Sequence, residues 1–478
     1  MKKQLFKDLS VNSLQVLANQ VLGTGIFLLI SLYLDKPVFG ELSWSLAVLT
    51  FATTILSLGL DQIVVRNIAA GKDAASMLRL FATHNLVTGL IFFGVLSAGH
   101  FLYPVFFDRH SPLWILSISQ LLSFFSQPFR QLVTGRSAFG WLAVLSTVSN
   151  LVRAGWLFGL VLFSTLTLRW VLIVFTVSSL LEYLSGAYIV TRRLHIPFRL
   201  RGRITDYTTL IRESLPQVGM VFLQAGIART DWILLGIFCT AARTAEYSFA
   251  YRAYELSPLP LIILAPLLLN RLARWAGSSS AGPDGLNFPW LNGLVRAEMT
   301  LATLLPLLLN IAWIPVMDRL THHKYGQSNA AVFLILSCCI PFQYLTNLLW
   351  SLAFARNRLS LILAITAVMA AIVLTGDLLL IPRYAGYGAA LTFLTAMIVQ
   401  YGLFHRYSPF PHKRQWARQL LIAIGIAVCS GLPALRITPF LIPRLLLATG
   451  IYSVLALITG QVRVGDWAVP KKILYHEP

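Results

Sequence analysis

The chain has 478 residues, 57% of them hydrophobic and only 12% charged, with a mean hydropathy of +0.72 and a formal net charge of +20. That balance excludes a soluble globular protein and is the composition of a polytopic membrane protein. The basic excess does not indicate nucleic acid, because the lysines and arginines are scattered between apolar runs rather than gathered in one soluble region.

A spanning helix needs about 20 apolar residues. Fourteen such runs are predicted, at 11–34, 38–63, 78–103, 111–134, 138–163, 168–191, 210–237, 245–270, 291–316, 328–354, 359–381, 386–405, 415–433 and 440–461. The basic head MKKQLFKDLS leads into the first run without a small-residue cleavage site. Connections are short; the longest are the basic link from Arg192 to Arg212 and the loop AGSSSAGPDGLNFP. With the first residues inside, 26 of the 38 basic residues fall on cytoplasmic segments, nine on outer segments and three (Arg153, Arg229, Arg252) within spans. This bias predicts an all-α integral membrane protein with both termini cytoplasmic. Cys239, Cys338, Cys339 and Cys429 show neither metal-ligand nor redox spacing and read as packing residues.

A weak repeat accompanies the spans. FGELSWSLAV (39–48) lies 205 residues before TAEYSFAYRA (244–253), and the same offset places Arg66 on Arg271 and Asn12 on Gln217. At an offset of 220, Arg136 in TGRSAFGW falls on Arg356 in FARNRLSL. The expected organisation is a six-helix lobe over 1–200, a second over 201–410, and two further helices with a tail over 411–478. Six being even, both lobes enter the membrane in the same sense, as in parallel-repeat transporters.

Polar side chains inside spans are costly and usually face water or a partner. In the first span Asn12, Gln15 and Asn19 share a face; in the fifth, Ser146, Asn150 and Arg153; in the seventh, Gln217, Gln224 and Asp231; in the eighth, Ser248, Arg252 and Glu255. Four such stripes predict a hydrated cavity between the halves. Arg229 and Asp231 project about 200° apart on a helix and cannot pair simply. Three arginines in the outer half of the membrane suit an anion, because the guanidinium fork binds phosphate bidentately; the competing reading is that they pair with Asp231 and Glu255 to lock helices. Asp61 and Arg66 read as a helix-end pair or a gate. His84, beside Asn85, reads as a cavity or interfacial residue. Glu182 has no evident partner and reads as a proton-site candidate, and Asp377 reads as a gate or a surface contact. Tyr247, Tyr251 and Tyr254 form a stripe suited to packing or to sugar rings. There is no phosphate loop, metal cluster or nucleophile triad, so no ATP-driven pump, enzyme or cofactor is expected.

The stretches FGELSWSLAVLTFATTILSLGLDQIVVRNIA (39–69), RTDWILLGIF (229–238) and IPRYAGYGAALTF (381–393) together resemble the polysaccharide flippases of the multidrug/oligosaccharidyl-lipid/polysaccharide exporter superfamily. The last departs from the family pattern in that Ala385 precedes Gly386-Tyr387-Gly388. The resemblance implies translocation of undecaprenyl-pyrophosphate-linked oligosaccharide across a bacterial cytoplasmic membrane, with membrane lipids and polysaccharide assembly proteins as neighbours. On that reading Arg153 and Arg252 bind the pyrophosphate with help from Arg229 and Asn150, while Asp231, Glu255, Asp61 and Asp377 couple or gate. A drug or cation exporter of the same superfamily is the alternative, and a membrane-embedded glycan polymerase or glycosyltransferase a further one.

Overall fold

The computed structural model describes residues 2–163, 166–198, 204–261, 289–408 and 412–463. Regular structure among them is helical, without strands. In chain order the helices are α1 (Lys2–Tyr33), α2 (Lys36–Leu56), α3 (Leu60–Ala69), α4 (Ala74–Leu102), α5 (Pro104–Arg109), α6 (Ser111–Gly135), α7 (Phe139–Leu162) and α8 (Leu168–Tyr188), which ends in a π-helical turn at Ile189–Arg193. They continue with α9 (Ile204–Phe238), α10 (Ala241–Tyr254), α11 (Pro289–Leu320), α12 (Gly326–Ser337), α13 (Cys339–Ala355), α14 (Leu359–Tyr384), α15 (Gly386–Tyr407), α16 (Lys413–Ile437) and α17 (Leu441–Ile458). The glycine- and serine-rich loop, Arg271, Arg274, Lys471 and Lys472 lie outside the described residues.

Among the described residues, twelve helical stretches are long and apolar enough to cross a membrane. The protein is a multi-pass membrane protein. Two of the fourteen predicted spans are not in that set. One is the run starting with α10, which continues past the described residues. The other is α6, a helix rich in serine and glutamine that packs against α2, α3, α4 and α8. A helix enclosed by its neighbours can carry polar side chains that a lipid-facing helix cannot.

The second predicted span is broken. α2 stops at Leu56, and Leu58 (φ 49°) and Gly59 (φ 68°) take left-handed backbone before α3 begins. Such a break leaves carbonyls unsatisfied within the membrane. His84 answers this: its Nε2 lies 2.8 Å from the Leu56 carbonyl oxygen, and its Nδ1 2.8 Å from the Tyr207 hydroxyl. The residue expected in a cavity or at the interface is therefore buried as the cap of a broken helix.

The repeat has a geometric counterpart. At the end of α6, Arg136 (φ −85°, ψ 3°), Ser137 (φ 55°) and Ala138 (φ −84°, ψ 57°) turn the chain into α7. At the end of α13, Arg356 (φ −89°, ψ 13°), Asn357 (φ 55°) and Arg358 (φ −86°, ψ 54°) turn it into α14. Each turn closes with the same three backbone hydrogen bonds, including Ala138 N–H to the Val133 carbonyl and Arg358 N–H to the Ala353 carbonyl.

By packing, the chain separates into two compact units, 1–248 and 249–478. In the first, α1 lies on α7, α7 on α8, and α9 runs along α2. Gly236 sets that last approach, since a Cβ there would collide with the Trp44 ring, and Gly40 does the same for α2 and the start of α10, where a Cβ would collide with the Ala241 carbonyl oxygen. α9 therefore packs with the first unit, although the repeat places it at the start of the second lobe. In the second unit α14 and α15 form a hairpin, and α11 packs on α12, α16 and α17. Stacked rings join α11 to α12, with Trp313 on Phe333 at 3.7 Å, and α10 to the start of α12, with Phe249 on Tyr325 at 4.3 Å.

Candidate functional site

The polar stripes of α1 and α7 meet. Gln15 Nε2 donates to Ser146 Oγ at 2.6 Å, and Asn150 Nδ2 donates to Asn19 Oδ1 at 3.1 Å. Four-residue spacing on both helices puts the two bonds one turn apart, so the stripes zip together. At their Gln15–Ser146 end lies a cavity of about 260 Å³. Asp61, in the first turn of α3, lines it; α6 contributes Gln127, Arg130, Gln131 and Thr134, and α7 adds Leu142. The side-chain oxygens Gln15 Oε1, Asp61 Oδ1 and Gln127 Oε1 are buried and accept no hydrogen bond.

Asp61 does not pair with Arg66, as a helix-end bridge would require. Arg66 and Lys72 instead reach Glu213 on α9, at 3.4 and 3.0 Å, and Asn67 donates to the same carboxylate at 2.9 Å. Gln217 meets Gln62 nearby. Glu182, which lacks an evident partner in sequence, is held on α8 by Arg130 at 3.0 Å and by the Ser126 hydroxyl at 3.0 Å. Arg130 counts as a cytoplasmic charge by position, yet it faces the helix interior. Gln127, Arg130, Gln131 and Thr134 recur at three, four and seven, which is the signal in the sequence for this face.

One helical turn beyond Asn150, Arg153 lies with its guanidinium 4.3 Å from the Phe175 ring centre. Its Nε is buried and donates no hydrogen bond, and no ion pair reaches it among the described residues. Arg229 and Asp231 point apart, as their spacing requires. Arg229 lies 5.4 Å from the Trp232 ring centre. Asp231 is 3% exposed, accepts from the Tyr247 hydroxyl at 2.5 Å and from the Trp232 N–H at 2.7 Å. Gln224, on the same stripe, is exposed.

Arg252 bonds Glu255 one turn on, at 2.6 Å. This ion pair is local to one turn and locks no two helices, and the carboxylate of Asp231 accepts from Tyr247. Tyr247, Tyr251 and Tyr254 are all buried, and Tyr254 donates to Gln343 at 2.7 Å, so this stripe serves packing. Ser248 and Asp377 are buried too, the latter within α14. Glu298 on α11, which the stripes do not indicate, is 3% exposed with Oε2 unbonded. No group of His, Cys, Asp and Glu able to hold a metal is found among the described residues.

The sequence profile of a family described as polysaccharide biosynthesis protein matches residues 5–268, more than half of the chain. The chain belongs to that family. Its members' profile covers α1 through α10, and therefore every residue lining the cavity. Among curated protein sequences none is significantly similar. Similar solved structures include the lipid II flippase MurJ in an inward closed conformation, at 13% identity and a TM-score of 0.74 over 94% of this chain and 98% of that one. An inward-facing multidrug resistance MATE family transporter of the MOP superfamily follows at 11% identity and 0.65, over 84% and 95%. A MOP superfamily transporter from Pyrococcus furiosus, described as having a binding pocket of reversed polarity, aligns at 11% and 0.56, over 87% and 96%. At these identities the likeness establishes the fold alone, which is the one these transporter and flippase structures share.

Proposed function

We propose that this protein carries undecaprenyl-pyrophosphate-linked oligosaccharide from the inner to the outer leaflet of a bacterial cytoplasmic membrane by alternating access. Family membership supports a role in polysaccharide biosynthesis, and the fold is one used by transporters and flippases. The observation that carries the reading is Arg153. Its Nε is a buried donor without an acceptor, which is costly unless something binds it. A pyrophosphate would satisfy its fork bidentately and gain from the surrounding low dielectric. Arg229, over the Trp232 ring, assists. Arg252 and Asn150 already have partners and would exchange them, which links capture to a change of state. Asp231, Glu255, Asp61 and Asp377 are the proposed coupling or gating acids, with Glu255 competing directly for Arg252. No cofactor is needed, because the driving force is a gradient or the consumption of product.

The test is a deletion of the gene in its host, with lipid-linked glycan measured on each leaflet. Accumulation on the inner leaflet with loss of surface polysaccharide is expected, and restoration by the wild-type chain but not by Arg153→Leu. Unchanged leaflet distribution in the deletion strain would refute the proposal.

A further inference from the structure

We propose that the cavity between α1, α3, α6 and α7 is a subsite for a sugar ring, separate from the arginines that hold phosphate. The inference rests on the flippase reading and adds to it where the carbohydrate sits.

Three buried acceptors line this cavity without donors: Gln15 Oε1, Asp61 Oδ1 and Gln127 Oε1. Each unsatisfied acceptor costs about 1–3 kcal/mol, so the missing group is one that donates several hydrogen bonds at once. A phosphate donates none and would face the Asp61 carboxylate. A bare metal ion meets the opposite difficulty, since Arg130 shares the lining. It also fills little of the space: 260 Å³ is the room of roughly nine waters at about 30 Å³ each. A polyhydroxylated ring fits both size and polarity. Its hydroxyls donate to the three acceptors, the Gln131 amide and Thr134 hydroxyl serve its own oxygens, and Leu142 offers an apolar wall to the C–H face.

Position connects the cavity to the phosphate site. Ser146, at the cavity, and Arg153 lie on one face of α7, seven residues and therefore about 10 Å apart. A pyrophosphate at Arg153 would direct its first sugars along this face into the cavity, replacing the zipped Asn19–Asn150 pair on the way.

The experiment uses the full chain in lipid nanodiscs and three probes: bare undecaprenyl pyrophosphate, the same lipid bearing a single hexose or N-acetylhexosamine, and the corresponding free methyl glycosides. For the wild type, at least one sugar-bearing lipid is expected to bind about tenfold tighter than the bare lipid, and far tighter than its free glycoside. In Gln127→Leu, and in the isosteric Asp61→Asn should the first fail to fold, the ratio of sugar-bearing to bare affinity falls to near one. A ratio that is near one in the wild type, or equally high in the folded variants, overturns the subsite. Free glycosides binding as tightly as the lipid-linked sugars would make the ligand a soluble sugar and overturn the assignment. Failure of the wild type to bind bare undecaprenyl pyrophosphate would instead remove the flippase reading itself.

Discussion

Along α2, Lys36 reaches Glu246 at 2.8 Å, Glu41 reaches His110 at 2.7 Å, and Trp44 donates to the Ile233 carbonyl at 3.1 Å while lying on Gly236. Along α1, α3, α6 and α7 the same kinds of side chain leave three acceptors without partners at the cavity, and the Arg153 Nε unbonded farther along α7. The difference lies in what stands opposite each polar group. On the α2 seam small residues let the backbones of α2, α9 and α10 come close, and Lys36, Glu41 and Trp44 each find a partner across it. In the interior, glutamine and asparagine pairs hold α1 and α7 apart at side-chain length, and the region beside them stays unfilled. The seam is closed by packing, and the region beside Gln15 and Gln127 is open.

The comparison can be broken most forcefully at Gly40. Gly40→Val would drive a branched side chain into the Ala241 carbonyl, a backbone atom that cannot rotate away. A destabilisation of about 3 kcal/mol, the upper end for overpacking, is expected as a large drop in thermal midpoint and abundance. Next in size is Arg130→Leu, which strands the buried Glu182 carboxylate. A fully buried pair would lose 3–5 kcal/mol; because Arg130 is one-third exposed, about 2 kcal/mol is expected, with most of it recovered in the double variant carrying Glu182→Gln. His84→Phe keeps the bulk but leaves the Leu56 carbonyl and the Tyr207 hydroxyl unbonded, and should lower stability by about 1–2 kcal/mol in the same thermal assay. Lys36→Met should cost less than about 1 kcal/mol, since the pair with Glu246 is partly exposed and the seam is held by packing.

The spans were legible because length and apolarity follow from bilayer thickness alone. The turns at Arg136 and Arg356, aligned in sequence at an offset of 220, are alike in structure: a left-handed residue between two helices tolerates Ser137 or Asn357 but keeps the same hydrogen bonds. The break between α2 and α3 was not read, because Leu58 and Gly59 look like ordinary apolar residues in a span; Gly59 was the available cue. Glu182 looked isolated because its partner, Arg130, sits close enough to a span end to pass for an orienting charge. The stripes of α1 and α7 follow from period, but which of their members pair and which remain unmet depends on distances between helices that sequence spacing does not contain.

The proposed role of Arg153 is tested most directly by the affinity of the full chain in nanodiscs for bare undecaprenyl pyrophosphate, compared between wild type and Arg153→Lys. Lysine keeps the charge and loses the planar fork. If the unmet guanidinium holds the pyrophosphate, the substitution should weaken binding about 10- to 100-fold, the equivalent of about 1.5–3 kcal/mol for charge-assisted hydrogen bonds, with normal protein abundance. Equal affinity in the two proteins would contradict it.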